Sequence, residues 1–255
     1  MGSSRVHPSV SETTTRLKPA RRLLWFLALV VALGLIAYLI VMISTRSTSS
    51  GSTPPRPAGI PQSVSTELAD QMGLAPVTRS VPKDFTLTDQ RGVAVSLSAF
   101  RGKAVVLQFM DPHCVDICPI ASHEVVDAYR DLGTKGPDVV FLTVNVNTNH
   151  AAVSDMAAFT NKEGLDAVPT WHFSTGTPTA LQSIWRDYGV EVESSGPTAD
   201  VKHSSQIYFI DPSGHLRYLA TSTTQFKPDG TAYLPAAQLA AWGRGIAAVA
   251  DSLTS

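Results

Sequence analysis

The apolar positions of this chain form one long run near the N-terminus and a series of short runs after residue 85. Residues 23–43 contain no charged side chain, and an apolar run of this length spans the roughly 30 Å hydrocarbon core of a bilayer as a helix. Residues 1–22 carry five basic side chains and one acidic side chain. Because basic residues stay on the cytoplasmic side, this pattern predicts a single-pass anchor in the cell membrane, a cytoplasmic N-terminal tail and an extracytoplasmic remainder.

Two other interpretations of the apolar run stay open. A cleaved signal peptide has an apolar core of about 7–15 residues and a small-residue cleavage site, whereas no Ala-x-Ala pattern follows Ile43. The pair Arg21–Arg22 is a short match to a twin-arginine signal. We therefore favour an uncleaved transmembrane helix over 23–43.

A polar segment follows the apolar run. Residues 44–59 are almost wholly Ser, Thr, Pro, Gly and Arg, a composition that buries too little apolar surface to offset the entropy of ordering. Residues 64–72 are predicted to form a short, isolated helix. We therefore expect a flexible linker over 44–80 and a folded domain over 81–255.

The short apolar runs alternate between strand and helix spacing. Runs rich in β-branched residues predict strands, and apolar residues three or four apart predict helices. The predicted strands cover 85–88, 93–97, 104–110, 139–146, 171–173, 205–210 and 215–220. The predicted helices cover 120–132, 151–161, 181–188 and 235–253. Strand–helix alternation, followed by a hairpin and a helix, predicts an α/β fold with a mixed sheet and helices on both faces.

The chain contains only two cysteines, Cys114 and Cys118, with three residues between them. They lie where the predicted strand 104–110 turns into the predicted helix. The unpaired N–H groups and the dipole at a helix N-terminus favour a thiolate over a thiol. If both residues lie in the first turns of the helix, their Cβ atoms are about 5–6 Å apart on one face. This placement favours reactive sulfur.

Two thiolates at this spacing suit one soft metal ion, because thiolates select Cu(I) or zinc over harder cations. A disulfide is also possible, near the strained end of the geometry that disulfides tolerate, and it would be easily reduced. The alternative is a purely structural role, as a structural disulfide or as two buried free cysteines.

The composition, 44% hydrophobic and 16% charged with a formal net charge of −1, gives no reason to expect nucleic acid as a partner.

Several segments of the chain together resemble the motifs of the thioredoxin-fold Sco/SenC family. They are the segments 85–92, 97–103, 113–119 and 202–211. Members of that family are membrane-anchored copper-binding proteins associated with building the dinuclear copper centre of cytochrome c oxidase, and some act as thiol–disulfide reductants. The resemblance implies a thioredoxin-like mixed sheet flanked by helices, preceded by one N-terminal transmembrane helix.

The resemblance also implies a ligand set. Cys114 and Cys118 would be thiolate ligands, and also a redox-active disulfide pair, and His203 would be the imidazole ligand of copper, held as Cu(I). The implied recipient is cytochrome c oxidase subunit II. In a thioredoxin-like sheet, the loop before strand 206–210 lies beside the loop that holds the cysteines, so His203 can meet them in space. Imidazole is a donor that suits copper.

Two further residues are candidates for a supporting role. His113 adjoins Cys114 and either helps to hold the thiolate or is simply exposed. Asp116 either complements the helix dipole or docks a partner. Residues 145–149 depart from the family, which usually shows Asp-Pro-x-Arg-Asp there, so the resemblance implies no partner contact or supporting role for them.

The sequence therefore favours a metallochaperone that passes copper to an extracytoplasmic protein, or keeps the cysteines of the recipient copper site reduced. The alternative is a thiol–disulfide oxidoreductase without metal, in which Cys114 attacks a partner disulfide and Cys118 resolves the mixed disulfide. Copper binding requires His203, whereas thiol exchange does not. The three-residue spacing favours copper, because redox dithiols usually have two intervening residues. A peroxidase and a purely structural module are weaker interpretations.

Overall fold

The computed structural model describes residues 19–46, 56, 58–194, 196 and 201–254. Most of the predicted cytoplasmic tail, residues 1–18, and most of the polar segment, residues 47–55, lie outside the described residues. The chain divides into two units, Met1–Pro54 and Pro55–Ser255, and each is described by itself.

In the first unit the described residues form helix α1 (Pro19–Arg46), which covers the predicted anchor. Its side chains are described at Trp25 and over 28–40, and all of them are exposed. Among the residues whose side chains are described, no helix is both long and apolar enough to cross a membrane.

The strands of the second unit are β1 (Ala75–Ser80), β2 (Thr86–Asp89), β3 (Ala94–Ser96), β4 (Ala104–Met110), β5 (Val139–Asn145), β6 (Trp171–Thr175), β7 (Val192–Ser194), β8 (Val201–His203), β9 (Gln206–Ile210), β10 (Leu216–Thr221), β11 (Gln225–Phe226) and β12 (Ala232–Tyr233). Eight of them form one sheet in the order β1-β10-β9-β4-β5-β6-β2-β3. Two separate ribbons pair β7 with β8 and β11 with β12. The helices are α2 (Thr66–Gln71), α3 (Ile117–Leu132), α4 (Val153–Lys162), α5 (Pro178–Asp187) and α6 (Ala236–Leu253).

The sheet is mixed, because β4, β5 and β6 are parallel and the other pairings are antiparallel. Every residue of β4 and β5 is buried, as expected for central strands covered on both faces. Alternate residues enter two hydrophobic clusters: Val106 belongs to the cluster with α3, α4 and α6, and Val105 to the cluster with α5. The prediction of a mixed sheet with helices on both faces is confirmed.

The folded unit begins earlier than the predicted boundary at residue 81. β1 pairs with β10 at one edge of the sheet, and Ile60, Val64 and Met72 are buried in the core. The prediction of a flexible linker up to residue 80 is therefore wrong for this stretch. Its buried residues stand among Pro, Gly and polar residues, so the composition of the stretch alone indicated a linker.

Two elements near the cysteines also differ from the prediction. Helix α3 begins at Ile117 rather than residue 120, because the Asp116 side chain accepts a hydrogen bond from the first N–H group. Cys118 thus lies in the first turn, while Cys114 precedes the helix. His203 ends β8, where it pairs with Val192 in the β7–β8 ribbon rather than lying in a loop.

Candidate metal centre

The turn between β4 and α3 holds the cysteines on a constrained backbone. The N–H of Cys114 donates to the carbonyl of Asp111 at 3.2 Å, and the N–H of His113 donates to Asp111 Oδ1 at 2.8 Å. Asp116 then caps α3, and its Oδ1 lies 2.6 Å from the N of Ile117. The turn therefore places Cys114 beside the positive end of the helix dipole.

The Cys114 sulfur lies among groups that favour its ionised form. The N–H of Cys118 donates to Cys114 Sγ at 3.2 Å. The Cys118 thiol also hydrogen-bonds to this sulfur, and that contact lowers the pKa of Cys114 against the opposing effect of burial. Both cysteines are free thiols, and Cys114 is half-buried. Cys114 is thus the thiol of the pair that ionises first.

Cys118 behaves in the opposite way. Its side chain is almost fully buried, at 2% relative exposure. Donation to the Cys114 sulfur and desolvation raise the pKa of Cys118 well above its ordinary value. Of the two thiols, Cys118 is therefore the one that keeps its proton to higher pH.

Asp116 contacts the pair directly. The Cys114 thiol donates to Asp116 Oδ1 at 3.0 Å, and this hydrogen bond lowers the pKa of Asp116. The same contact favours the thiol form of Cys114, which offsets part of the lowering of the Cys114 pKa by Cys118. His203 also acts electrostatically on Asp116. Asp116 thus caps the helix and touches a candidate ligand at once.

His203 presents a defined tautomer. Its Nδ1 lies 2.9 Å from the carbonyl oxygen of Ser204, and a carbonyl only accepts, so Nδ1 carries the hydrogen. Burial lowers the pKa of His203, which keeps the ring neutral at pH 7. Nε2 therefore holds a lone pair that is available to a metal ion.

The three candidate ligands line adjoining cavities. Cys114 and His203 line an open cleft of about 360 Å³, together with Asp111 and Asp116. Cys118 and His203 line the smaller cavity next to it. His203 is thus shared between the two cavities. Two sulfurs and a neutral imidazole form a donor set of the kind that soft Cu(I) takes.

The donors are close but not assembled for coordination. Donors of one ion lie within about 4.6 Å of each other, given metal–donor bonds of about 2.0–2.3 Å as for zinc. Among the described residues, the sole group of three such side chains whose donor atoms all lie within 4.8 Å is His113, His150 and Asp155. At least one of Cys114, Cys118 and His203 must therefore move to bind an ion together with the others.

Sequence reasoning missed Asp111. This carboxylate is 4% exposed, follows β4 and lines the cleft. Asn147 Nδ2 donates to both of its oxygens, at 3.0 and 3.1 Å. Asp111 favours the charged form of His203 and disfavours that of Cys118. The sequence feature that could have identified Asp111 as a cleft residue is its position, a carboxylate directly after a buried strand.

His113 and residues 145–149 have structural partners in this region. The His113 ring stacks on His150, with centroids 3.4 Å apart, and no hydrogen bond joins it to either sulfur in the described structure. Asn145 Nδ2 donates to the carbonyls of Asn147 and His150. The asparagines that depart from the family pattern thus organise the loop that faces the cysteines.

Comparison with known proteins gives a family match. The SCO1/SenC family model matches residues 75–230. The SCO2 homologue of Bos taurus mitochondria is 33% identical over 138 residues, which is 51% of this chain and 50% of that protein. The chain spans about half the length of the mammalian SCO2 homologues that it matches.

Solved structures share the fold. The copper-bound ScoI of Arabidopsis thaliana superposes with a TM-score of 0.50 at 23% identity, over 56% of this chain and 89% of that one. A SCO1/SenC family lipoprotein of Bacillus anthracis str. Ames gives a TM-score of 0.51 at 22% identity, over 57% and 86%. These similarities support a thioredoxin-like sheet with flanking helices.

Proposed function

Because this chain belongs to the SCO1/SenC family, we propose that it is a membrane-anchored copper metallochaperone of cytochrome c oxidase assembly. Copper is its cargo, held as Cu(I) and passed on by ligand exchange. The observation that carries the proposal is the convergence of two free cysteines and one neutral imidazole on adjoining cavities. A solved relative, the Arabidopsis thaliana ScoI, has copper bound.

The proposed ligands are the sulfurs of Cys114 and Cys118 and Nε2 of His203. Cys114 supplies the first thiolate because its pKa is lowered. Cys118 must lose its proton as the ion enters, so binding releases a proton and strengthens as pH rises. His203 then closes on the ion, which requires the β7–β8 ribbon or the side chain itself to shift.

The anchor and the recipient belong to the same proposal. Residues 23–43 form an uncharged part of helix α1, which we infer to cross the cell membrane once with its N-terminus in the cytoplasm. Residues 44–59 then tether the folded domain outside. Cytochrome c oxidase subunit II is the proposed recipient, and half-buried Cys114 is the ligand that an incoming donor reaches first.

A second candidate function is supported by the unequal pKa values of the two cysteines. The Cys114 thiolate would attack a partner disulfide, forming a mixed disulfide and releasing one partner thiolate. Cys118 would then attack the Cys114 sulfur, which leaves a Cys114–Cys118 disulfide in this chain and a dithiol in the partner. His203 has no required part in these steps.

Copper titration of the full-length chain in detergent distinguishes the two functions. The reduced protein is titrated with Cu(I) in competition with a chromophoric chelator. We expect one Cu(I) per chain, and we expect His203→Ala to weaken binding at least tenfold because one of three donors is lost. His123→Ala, an exposed histidine on α3, is the matched control and should leave affinity unchanged.

Unchanged Cu(I) affinity in the His203 variant would contradict the proposed ligand set. Rapid reduction of a protein disulfide by that variant, at the wild-type rate, would then favour the oxidoreductase. Copper-edge X-ray absorption on both proteins reports directly whether a nitrogen ligand is lost.

A further inference from the structure

A second group of metal-binding side chains lies next to the cysteine turn. It consists of His113, His150 and Asp155, whose donor atoms all lie within 4.8 Å of one another. His113 is exposed and the other two residues are half-buried, so solvent reaches the group. The residues come from three segments: the turn before α3, the loop after β5 and the first turn of α4.

Hydrogen bonds fix the backbone under these side chains. The N–H of His113 donates to buried Asp111, and the carbonyl of His150 accepts from Asn145 Nδ2 at 2.9 Å. Asp155 Oδ2 accepts the N–H of the residue that precedes α4, at 3.2 Å. The backbones of His113 and His150 are therefore held by contacts that do not involve their imidazole nitrogens, and the Asp155 carboxylate is held through one of its two oxygens.

The two imidazoles are stacked, with ring centroids 3.4 Å apart and planes inclined by 22°. The lone pairs of nearly parallel rings do not converge on one point, so one ring must turn before both bind the same ion. No hydrogen bond holds either ring in the described part of the chain. The exposed ring of His113 can therefore rotate without breaking a polar contact.

Two imidazoles and one carboxylate form a different donor set from the cysteine–histidine cleft. Imidazole suits zinc, copper, iron and nickel in their divalent states, and carboxylates favour harder ions than thiolates do. Among divalent ions of this series, Cu(II) binds such a site most tightly. Three protein donors also leave a coordination position open to water.

We propose that His113, His150 and Asp155 form a second metal site that binds a divalent late transition-metal ion, Cu(II) most tightly. The site does not depend on the proposed function, because none of its donors belongs to the cysteine–histidine cleft. His113 and Cys114 are consecutive residues, so donors suited to Cu(II) and to Cu(I) lie side by side on one turn.

The test uses the full-length chain in detergent with Cys114→Ser, Cys118→Ser and His203→Ala combined, which removes the donors of the other cleft. Cu(II) is titrated in competition with a chelator, and electron paramagnetic resonance reports the bound nitrogens. We expect one Cu(II) with two imidazole nitrogens. Adding His150→Ala should weaken binding at least tenfold and leave one imidazole. Adding Asp155→Asn should weaken binding while keeping both nitrogens.

The matched control is His123→Ala in the same background, which should change neither affinity nor nitrogen count. Equal Cu(II) affinity in the His150→Ala and His123→Ala proteins would overturn the site. Tighter binding of Zn(II) than of Cu(II) would overturn the assigned metal. Circular dichroism verifies folding, and if the background protein is unfolded, wild-type chain with alkylated cysteines takes its place and the same comparisons apply.

Discussion

At the scale of single residues, the cysteine pair is asymmetric because its two sulfurs occupy different environments. Cys114 is half-buried outside the helix and accepts hydrogen bonds from Cys118. Cys118 is buried in the first turn of α3 and keeps its proton. Both residues carry the same side chain, so their positions decide which sulfur ionises first: burial and hydrogen-bond donation keep the proton on Cys118.

Asp116 limits how far the pKa of Cys114 falls, since its carboxylate accepts a hydrogen bond from the Cys114 thiol. Asp116→Asn removes the negative charge and keeps the backbone contacts. We expect the pKa of Cys114 to decrease, so alkylation by iodoacetamide at pH 7 becomes about threefold faster or more. The measurement is the pH profile of the alkylation rate, whose midpoint should move to lower pH.

Asp131→Asn, an exposed aspartate on the same helix, serves as the control and should leave the profile in place. A profile that moves to higher pH in Asp116→Asn would show that the carboxylate supports the thiolate instead, through the cap that it gives to α3.

At the scale of elements, α3 packs closely against α6. A Cβ added at Gly243 of α6 would lie 2.6 Å from the Cβ of Asp127 and 3.3 Å from the backbone N of Ala128. The close approach of the two helices therefore depends on glycine at this position. Glu124 of α3 is itself 1% exposed, and its Oε2 has no hydrogen-bond partner among the described residues.

Burial raises the pKa of Glu124 to about 8. The folded protein then keeps Glu124 protonated at neutral pH, whereas the unfolded chain releases the proton above an ordinary value of 4.5. Stability contributed by this group therefore falls as pH rises from 4.5 towards 8. We expect Glu124→Gln to remove that dependence and to be about 3 kcal/mol more stable than wild type at pH 7.

Urea midpoints at pH 5 and pH 7.5 measure the effect, and the gain should be much larger at the higher pH. The exposed residue Glu193 provides the control substitution, Glu193→Gln, which should show no such difference. An equal gain at both pH values would mean that the carboxyl is ionised, and hydrated, in the folded protein.

At the scale of the whole molecule, the proposed division into an anchor and an outer domain is open to a direct test. We expect the full-length chain to stay in the membrane fraction after alkaline carbonate extraction, because an uncharged helix over 23–43 is held by the hydrocarbon core. A variant with three lysines in place of Leu33, Ile36 and Leu39 should be released. Protease added outside the cell should cut only after residue 43.

Release of the unmodified chain by carbonate would contradict an uncleaved anchor. A mature N-terminus located after residue 43, found by sequencing the isolated protein, would establish the signal-peptide interpretation instead.

A strand could be predicted from the sequence where its own residues carry a clear apolar pattern, and not where it is defined only by pairing with a distant strand. Strands β4 and β5 are continuous apolar runs, so their bounds were predicted almost completely. Strand β1 contains proline and arginine and has exposed faces, and its pairing with β10 joins residues far apart in sequence. Such an edge strand carries no local period, and the prediction therefore placed it in a linker.

The sequence alone was sufficient for the local features of this protein: the uncharged run over 23–43, the central strands, and the position of Cys114 and Cys118 at the start of a helix. These depend on neighbours within a few residues, which a sequence displays directly. Tertiary structure was needed to show that Asp111 and His203 line one cleft with Cys114, and that His150 stacks on His113. Each of these depends on segments that the chain brings together only when the sheet closes over its core.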